Sequence, residues 1–140
     1  MYHVLPPTFP LHLPVYLFIY LDIVKDKPLK QAITKFRVSD HKLMIEVGRH
    51  KNIPLEERLC PFCKQEVEDE CHFLLVCHMY NDQRKKLLDY ISSKSPLFQN
   101  LSIPDQFLWL MSSHDSDVIL SVGEFIYKGM QHRQTSLAMT

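Results

Sequence analysis

All four cysteines of this 140-residue chain lie in one short stretch, Cys60 to Cys77. Cys60 and Cys63 form a C-x2-C pair, and His72 and Cys77 follow after eight further residues, with four residues between them. Structural zinc sites take thiolate and imidazole ligands, commonly two from a tight turn and two from the segment that follows. Pro61 fixes a backbone angle just after the first thiolate and so favours such a turn. The spacing predicts a structural Zn²⁺ site.

The identity of the third and fourth ligands is the open point of this prediction. In a regular helix that begins near Asp69, His72 and Cys77 would lie about 140° apart, so both can face one ion only if the helix ends or bends. Cys71 and Cys77 would be about 120° out of phase in the other direction, which is little better. We expect the third ligand to be His72, with Cys71 as the alternative. The six available side chains are Cys60, Cys63, Cys71, His72, Cys77 and His78, and the expected ligands are Cys60, Cys63, His72 and Cys77.

Other interpretations of the cysteines are weaker. A disulfide framework would spread its cysteines to join distant loops, whereas these are packed into one stretch. Four reduced thiols without a metal remain the simplest alternative, but they do not account for the agreement between the C-x2-C pair and the later His/Cys pair. We therefore favour zinc.

Composition indicates the elements that must position these ligands. Hydrophobic residues make up 46% of the chain and charged residues 23%, as in an ordinary globular protein, and the length suits one domain with a modest core. Three glycines against nine prolines argue against a sheet rich in tight turns. We predict a mainly α fold with little or no sheet: a single small helical domain over residues 28–140, with the zinc-knuckle turn at 60–77.

The N-terminal segment, residues 1–27, is rich in proline and then apolar. Its apolar run is too short to cross a membrane and is interrupted by Pro14. The first ten residues carry no Lys or Arg and no small-residue cleavage site follows, so a secretory signal is not indicated. We expect this segment to be poorly ordered or loosely packed, and the protein to be intracellular, in the nucleus or the cytoplasm.

Apolar periodicity and capping residues predict five helices. Ser39 or Asp40 would cap the second, and Gly48 would end it; Asn81 or Asp82 would cap the third. The last helix carries an apolar stripe that is typical of a core-facing surface. The predicted ranges are 28–38, 41–47, 81–91, 104–111 and 117–132.

Basic residues are unevenly distributed, although the net charge is zero. Residues 25–51 hold eight Lys or Arg against three acids, whereas residues 56–70 hold six acids against two bases. The basic side chains could contact phosphate or could simply form a solvated helix surface. Phe62, between the first two cysteines, could stack on a base, but we favour a packing role because a small domain needs its aromatic residues for the core. The candidate nucleic-acid-binding residues are Lys30, Lys35, Arg37, Arg49, Lys51, Arg84 and Lys85, with Lys86 beside them.

Four motifs in residues 34–88 carry a family resemblance: H-x-L-x-I-E-x-G-R, E-R-x-C-x-x-C, H-F-L-L-x-C and Y-x-x-x-R. Together they resemble the zinc-knuckle region near the C-terminus of LINE-type (non-LTR) retrotransposon reverse transcriptases, over a little under half of the chain. The resemblance implies the ligands Cys60, Cys63, His72 and Cys77, and a part in holding the RNA of the element. The polymerase domain of such proteins lies upstream of this region.

No enzyme site is predicted. The chain has neither a Gly-rich phosphate loop nor a Gly-x-Ser-x-Gly elbow, and its close aspartate pair, Asp115 and Asp117, lacks the strand context of a polymerase metal site. We expect a non-catalytic, zinc-binding module whose partner is nucleic acid, above all RNA, with neither a small-molecule substrate nor a membrane partner. The alternatives are a protein-interaction module and a non-functional remnant of a retroelement.

Overall fold

The computed structural model describes residues 19–139, and this part of the chain is mainly helical, as predicted. Its nearest approach to a sheet is an isolated antiparallel bridge between Leu59 and Val67. None of its helices is both long and apolar enough to cross a bilayer. The α-helices are α1 (Tyr20–Ile23), α2 (Lys27–Arg37), α3 (Met44–His50), α4 (Asn81–Lys94), α5 (Ile103–Ser112) and α6 (Ser116–Ala138). Short 3₁₀ turns lie at Leu55–Glu57, His78–Tyr80 and Pro96–Asn100, and a π-helical turn lies at His72–Val76.

The long helix α6 is the element against which α1, α2, α4 and α5 pack. It begins at Ser116 because the Asp115 carboxylate accepts hydrogen bonds from the Asp117 and Val118 N–H groups at 2.8 and 3.3 Å. The predicted helix over 117–132 is present and continues to Ala138. Its buried side chains include the apolar stripe expected from the sequence, so this stripe is core. The buried residues of α6 are Val118, Ile119, Val122, Gly123, Phe125, Ile126, Gly129 and Arg133.

Residues 19–27 join this core, which differs from the loose packing expected for residues 1–27. Tyr20 and Val24 are buried, and they pack against Ile33 of α2 and Ile119 of α6. The Tyr20 hydroxyl also lies 2.8 Å from the Thr34 hydroxyl. The apolar run of this segment therefore packs on the domain as far as it is described, and residues 1–18 lie outside the described residues.

Helix α3 differs from its prediction at both ends. It begins at Met44, not at His41, and Ser39 and Asp40 do not cap it. Gly48 lies inside the helix and does not terminate it: a Cβ at this position would collide with the side chain of Arg58, which crosses the helix here. A glycine is needed at position 48 because Arg58 packs closely against the helix there, and not because the helix ends there.

The two helices that follow the cysteine stretch are close to their predicted ranges. Helix α4 extends to Lys94, but neither Asn81 nor Asp82 provides a side-chain cap at its start. The Asn81 side chain instead accepts a hydrogen bond from Arg84 at 2.9 Å. Helix α5 contains the predicted range 104–111, and the Ser102 hydroxyl caps it by accepting the Asp105 N–H at 3.3 Å.

Aromatic rings join the cysteine stretch to the helical core. Phe73, in the π-helical turn, meets Tyr80 and Phe125 edge-on at centroid distances of 4.7 and 5.4 Å. Phe62 contacts Tyr80 in the same edge-on manner at 6.4 Å, which confirms its predicted packing role. Since Phe73 and Tyr80 are fully buried, the stretch that holds the cysteines is built into the core.

Candidate metal centre and surrounding charges

The first two cysteines lie in a tight loop, residues 59–67, which we call the knuckle loop. The Leu59–Val67 bridge closes it, and the Cys60 N–H donates to the Glu66 carbonyl at 2.9 Å. Within the loop the Lys64 N–H donates to the Cys60 carbonyl at 2.9 Å, and Lys64 has a positive φ of 60°. These bonds fold the C-x2-C segment back on itself and bring the two sulfur atoms to one side.

The second pair of candidate ligands is arranged by the π-helical turn at His72–Val76. The Asp69 carboxylate accepts the His72 N–H at 2.8 Å and so caps the start of this helical segment. The Cys77 N–H then donates to the His72 carbonyl at 2.8 Å, an i→i+5 bond that closes one turn over five residues. A regular helix would separate these two residues by about 140°. The wider π-helical turn reduces this angle and so provides the bend that the spacing of His72 and Cys77 requires.

Two pairs of candidate ligand atoms lie at distances that suit neighbouring ligands of one tetrahedral ion. Cys60 Sγ is 3.7 Å from Cys77 Sγ, and Cys63 Sγ is 3.5 Å from His72 Nε2. With Zn–S near 2.3 Å and Zn–N near 2.05 Å, a tetrahedron has S–S edges of about 3.8 Å and S–N edges of about 3.6 Å. The ligand atoms of Cys60, Cys63 and His72 all lie within 4.8 Å of one another, so this group could hold a metal ion.

The alternative ligands are placed differently. Cys71 is buried but does not belong to the group formed by Cys60, Cys63 and His72, and His78 is exposed. The structure thus brings His72, rather than its neighbour Cys71, to the C-x2-C pair. Cys77 also lies outside this group, but its Sγ is 3.7 Å from Cys60 Sγ, which is close to the separation of two thiolates on one zinc ion.

The surroundings of Cys60 disfavour a thiolate that has no cation beside it. Burial raises the pKa of Cys60 to about 12, although the Cys63 and Phe62 N–H groups act to lower it, and the nearby Cys77 and Glu68 raise it further. A bound cation deprotonates a coordinating thiol outright. Metal binding would therefore convert a buried, neutral thiol into a ligand.

A buried ion pair fixes the segment between the two ligand pairs. Both oxygens of Glu68 accept hydrogen bonds from Arg133 of α6, at 2.8 and 2.7 Å, and both residues are at most 4% exposed. Glu68 Oε1 also accepts the Met44 N–H at 2.8 Å, which sets the start of α3. Sequence reasoning missed this pair because Glu68 lies in an acidic run, residues 66–70, that is typical of a solvated segment.

Arg84, predicted to be exposed and to contact phosphate, is a buried structural residue. Its guanidinium donates to the Leu74 carbonyl at 2.9 Å and to the Phe73 carbonyl at 3.1 Å, both in the π-helical turn. Burial lowers the pKa of Arg84. Carbonyls at the end of a helical segment lack partners within it, and Arg84 supplies them. The expectation that Arg84 is exposed is therefore wrong, because its guanidinium is buried against these carbonyls.

Arg37 and Arg49 are also engaged within the protein. Arg37 Nη2 donates to the Met111 carbonyl at 2.8 Å, and its guanidinium lies over the Tyr20 ring at 5.2 Å. Arg49, in contrast, is exposed, but it forms an ion pair with Glu46 one turn earlier at 2.6 Å. Arg37 is therefore a packing residue, whereas Arg49 remains at the surface with part of its charge offset.

The predicted lysines, by contrast, are at the surface. Lys35, Lys51 and Lys86 are exposed, and Lys30 is half-buried. Lys85 is exposed too, and it pairs with Asp89 at 2.7 Å. The structure thus separates the predicted basic set into surface lysines and largely internal arginines.

A cleft of about 800 Å³ lies between α2 and the C-terminal half of α6. Lys35 and Lys42 lie on one side, and Tyr127, Met130 and Leu137 belong to its α6 wall. Its lining is mixed in character, with amide side chains between the lysines and the apolar residues. This cleft lies beside one of the predicted basic residues, Lys35.

Comparisons of the chain with models of protein families, with curated proteins and with solved structures find no match. The class defined by fold and site is that of a small helical protein with a Cys/His group able to hold a metal ion. Its resemblance to the zinc-knuckle region of LINE-type retrotransposon proteins stays a prediction.

Proposed function

We propose that the protein binds one Zn²⁺ as a structural centre through Cys60, Cys63, His72 and Cys77. The observation that carries this proposal is the convergence of the Cys60, Cys63 and His72 ligand atoms, with Cys77 Sγ 3.7 Å from Cys60 Sγ. Four protein ligands leave no open position for water, so the ion would stabilise the fold and not catalyse a reaction. Metal analysis of the purified chain tests this directly, with one zinc per chain as the expected result.

We further propose that this zinc-stabilised module binds nucleic acid, and RNA of a parent retroelement in particular, without catalysing a reaction. The support comes from the motif resemblance and from the exposed lysines. With Arg37 and Arg84 committed to internal contacts, the phosphate-contacting set reduces to surface bases. These are Lys30, Lys35, Arg49, Lys51, Lys85 and Lys86.

Salt-dependent binding to single-stranded RNA tests this function. Removal of one phosphate-binding charge should reduce the slope of log affinity against log salt by about 0.7 for a single strand. Lys35→Gln and Lys51→Gln are expected to weaken binding and to lower this slope. Lys94→Gln is the matched control, because Lys94 is already paired with Asp115 at 2.8 Å. Equal binding to RNA and to a neutral polymer, with no salt dependence, would refute the nucleic-acid proposal.

A protein-interaction module is the second candidate, and the α2–α6 cleft is the observation that favours it. The cleft combines apolar residues such as Met130 and Leu137 with Lys35 and Lys42, a surface that suits an amphipathic, acidic segment of a partner. The variants Met130→Asp and Lys51→Gln separate the two functions. Weaker RNA binding in Lys51→Gln alone favours nucleic acid, whereas loss of a co-purifying protein partner in Met130→Asp alone favours the cleft.

A further inference from the structure

Only one of the two ring nitrogens of the buried His72 faces the other candidate ligands, and the second lacks a hydrogen-bond partner within the described part of the chain. Its Nε2 faces Cys63 Sγ at 3.5 Å, as a zinc ligand would. Its Nδ1 is buried and has no hydrogen-bond partner among the described residues. A metal-ligating histidine almost always donates its other ring N–H to a carboxylate, a carbonyl or a water, which fixes both tautomer and ring orientation. His72 therefore needs an acceptor on its Nδ1 side.

The Glu66 carboxylate is placed to be that acceptor. Its Oε2 lies 3.5 Å from His72 Nδ1, slightly beyond the 2.7–3.2 Å range of N–H···O hydrogen bonds. The Glu66 backbone is fixed, because its carbonyl accepts the Cys60 N–H across the knuckle loop. Its side chain is 60% exposed, so little packing opposes the rotation that would shorten this distance.

The other acids of the run 66–70 already have partners, which singles out Glu66. Glu68 binds Arg133 and the Met44 N–H. The Asp69 carboxylate accepts the His72 backbone N–H, and Glu70 pairs with His41 at 2.7 Å. The imidazole contact at 3.5 Å is the interaction left to Glu66.

We propose that Glu66 is a positioning residue of the metal centre: it accepts the Nδ1–H of His72, holds the Nδ1–H tautomer and so directs the Nε2 lone pair towards the sulfur atoms. This inference rests on the proposed zinc site. By accepting this hydrogen bond, Glu66 also raises the basicity of the imidazole and strengthens its bond to the ion. Glu66 itself does not coordinate the metal.

Zinc affinity of the full chain, measured by competition with a chromogenic chelator, tests the inference. Glu66→Ala is expected to weaken zinc binding about 10- to 100-fold, the range for loss of an outer-shell partner. Glu66→Gln keeps an oxygen acceptor and is expected to recover most of this loss. Glu56→Ala, at an exposed glutamate shortly before the knuckle loop, is the matched control and is expected to leave affinity unchanged.

Nitrogen NMR of the zinc-loaded wild type supplies a second readout, since it reports the Nδ1–H tautomer of His72 directly. Melting curves at saturating zinc show whether each variant folds. Wild-type affinity in Glu66→Ala, or equal losses in Glu66→Ala and Glu66→Gln, would overturn the inference while leaving the zinc site standing. A wild-type chain that binds no zinc would overturn the site itself, and this outcome is seen without any variant.

Discussion

The stretch from Cys60 to Cys77 and the helix α6 are ordered in different ways. Helix α6 packs through an apolar stripe spread over several turns, so its stability is distributed over many small contacts. The cysteine stretch is also anchored by buried apolar residues such as Phe73, but in addition it depends on single polar groups: Glu68 to Arg133, Arg84 to two carbonyls, and the candidate ligands to one another. Removal of one group should therefore disturb the cysteine stretch far more than a comparable change in α6.

Loss of the metal should give the largest effect. A structural zinc ion supplies about 10–16 kcal/mol of apparent binding energy in small zinc-finger peptides at pH 7, and this energy is coupled to folding. Cys63→Ser should therefore lower zinc content and melting temperature together, as measured by metal analysis and thermal unfolding. A chelator should bring the wild type to a similar melting temperature. If chelator and substitution both leave melting unchanged, the centre does not stabilise the fold.

Breaking the Glu68–Arg133 pair should give the next largest effect. Arg133→Ala leaves a buried carboxylate without its partner, which costs about 3–5 kcal/mol of unfolding free energy. Denaturant unfolding at saturating zinc measures this loss. The double variant Glu68→Gln/Arg133→Met is the control, because it removes both charges, and it should be more stable than Arg133→Ala. A double variant that is less stable than the single one would show that the charges themselves are needed.

A methyl group at Gly129 should destabilise the contact between α6 and the π-helical turn by about 1–3 kcal/mol, as overpacking of a core does. The added Cβ would lie 2.7 Å from the tip of the Phe73 ring, which is rigid and fully buried. Gly123→Ala is the matched control, since its Cβ would meet the flexible end of Ile33 instead. Thermal unfolding of the two variants compares them. Gly129→Ala as stable as Gly123→Ala would mean that the Phe73 contact can relax.

Removal of the alternative ligand should have the smallest effect. Cys71 is buried but lies outside the candidate ligand group, so Cys71→Ala should keep one zinc per chain and cost only about 1 kcal/mol, an ordinary core substitution. Metal analysis and thermal unfolding check both points. Loss of zinc in Cys71→Ala, with zinc retained in His72→Ala, would transfer the third ligand position to Cys71.

Local patterns in the sequence predicted five of the six α-helices of the described residues, although both ends of α3 were wrong. Apolar spacing located the helices α2 and α6, because a helix buries one face and its period is visible in the chain. The need for a bend between His72 and Cys77 also followed from spacing alone, and the π-helical turn provides it. The prediction that Gly48 ends α3 was wrong, because a glycine required for close packing looks the same in sequence as one that ends a helix.

The burial of individual charges could not be predicted from the sequence. Arg37, Arg84 and Glu68 have partners 74, 10 and 65 residues away, so no local pattern indicates them. Charged residues are rarely buried unless they are paired, which makes exposure the reasonable expectation for each. Their partners become visible only when the whole chain is folded.

In the five-residue turn one side chain, Val76, is not packed into the core. A regular turn would need about four residues to return to the same face, so the segment from His72 to Cys77 contains one residue in excess. Val76 is 38% exposed, whereas the three residues before it are at most 7% exposed. Position 76 is thus a spacer that sets the phase of Cys77 and makes little demand on side-chain chemistry, and it offers a place for a spectroscopic label beside the candidate ion.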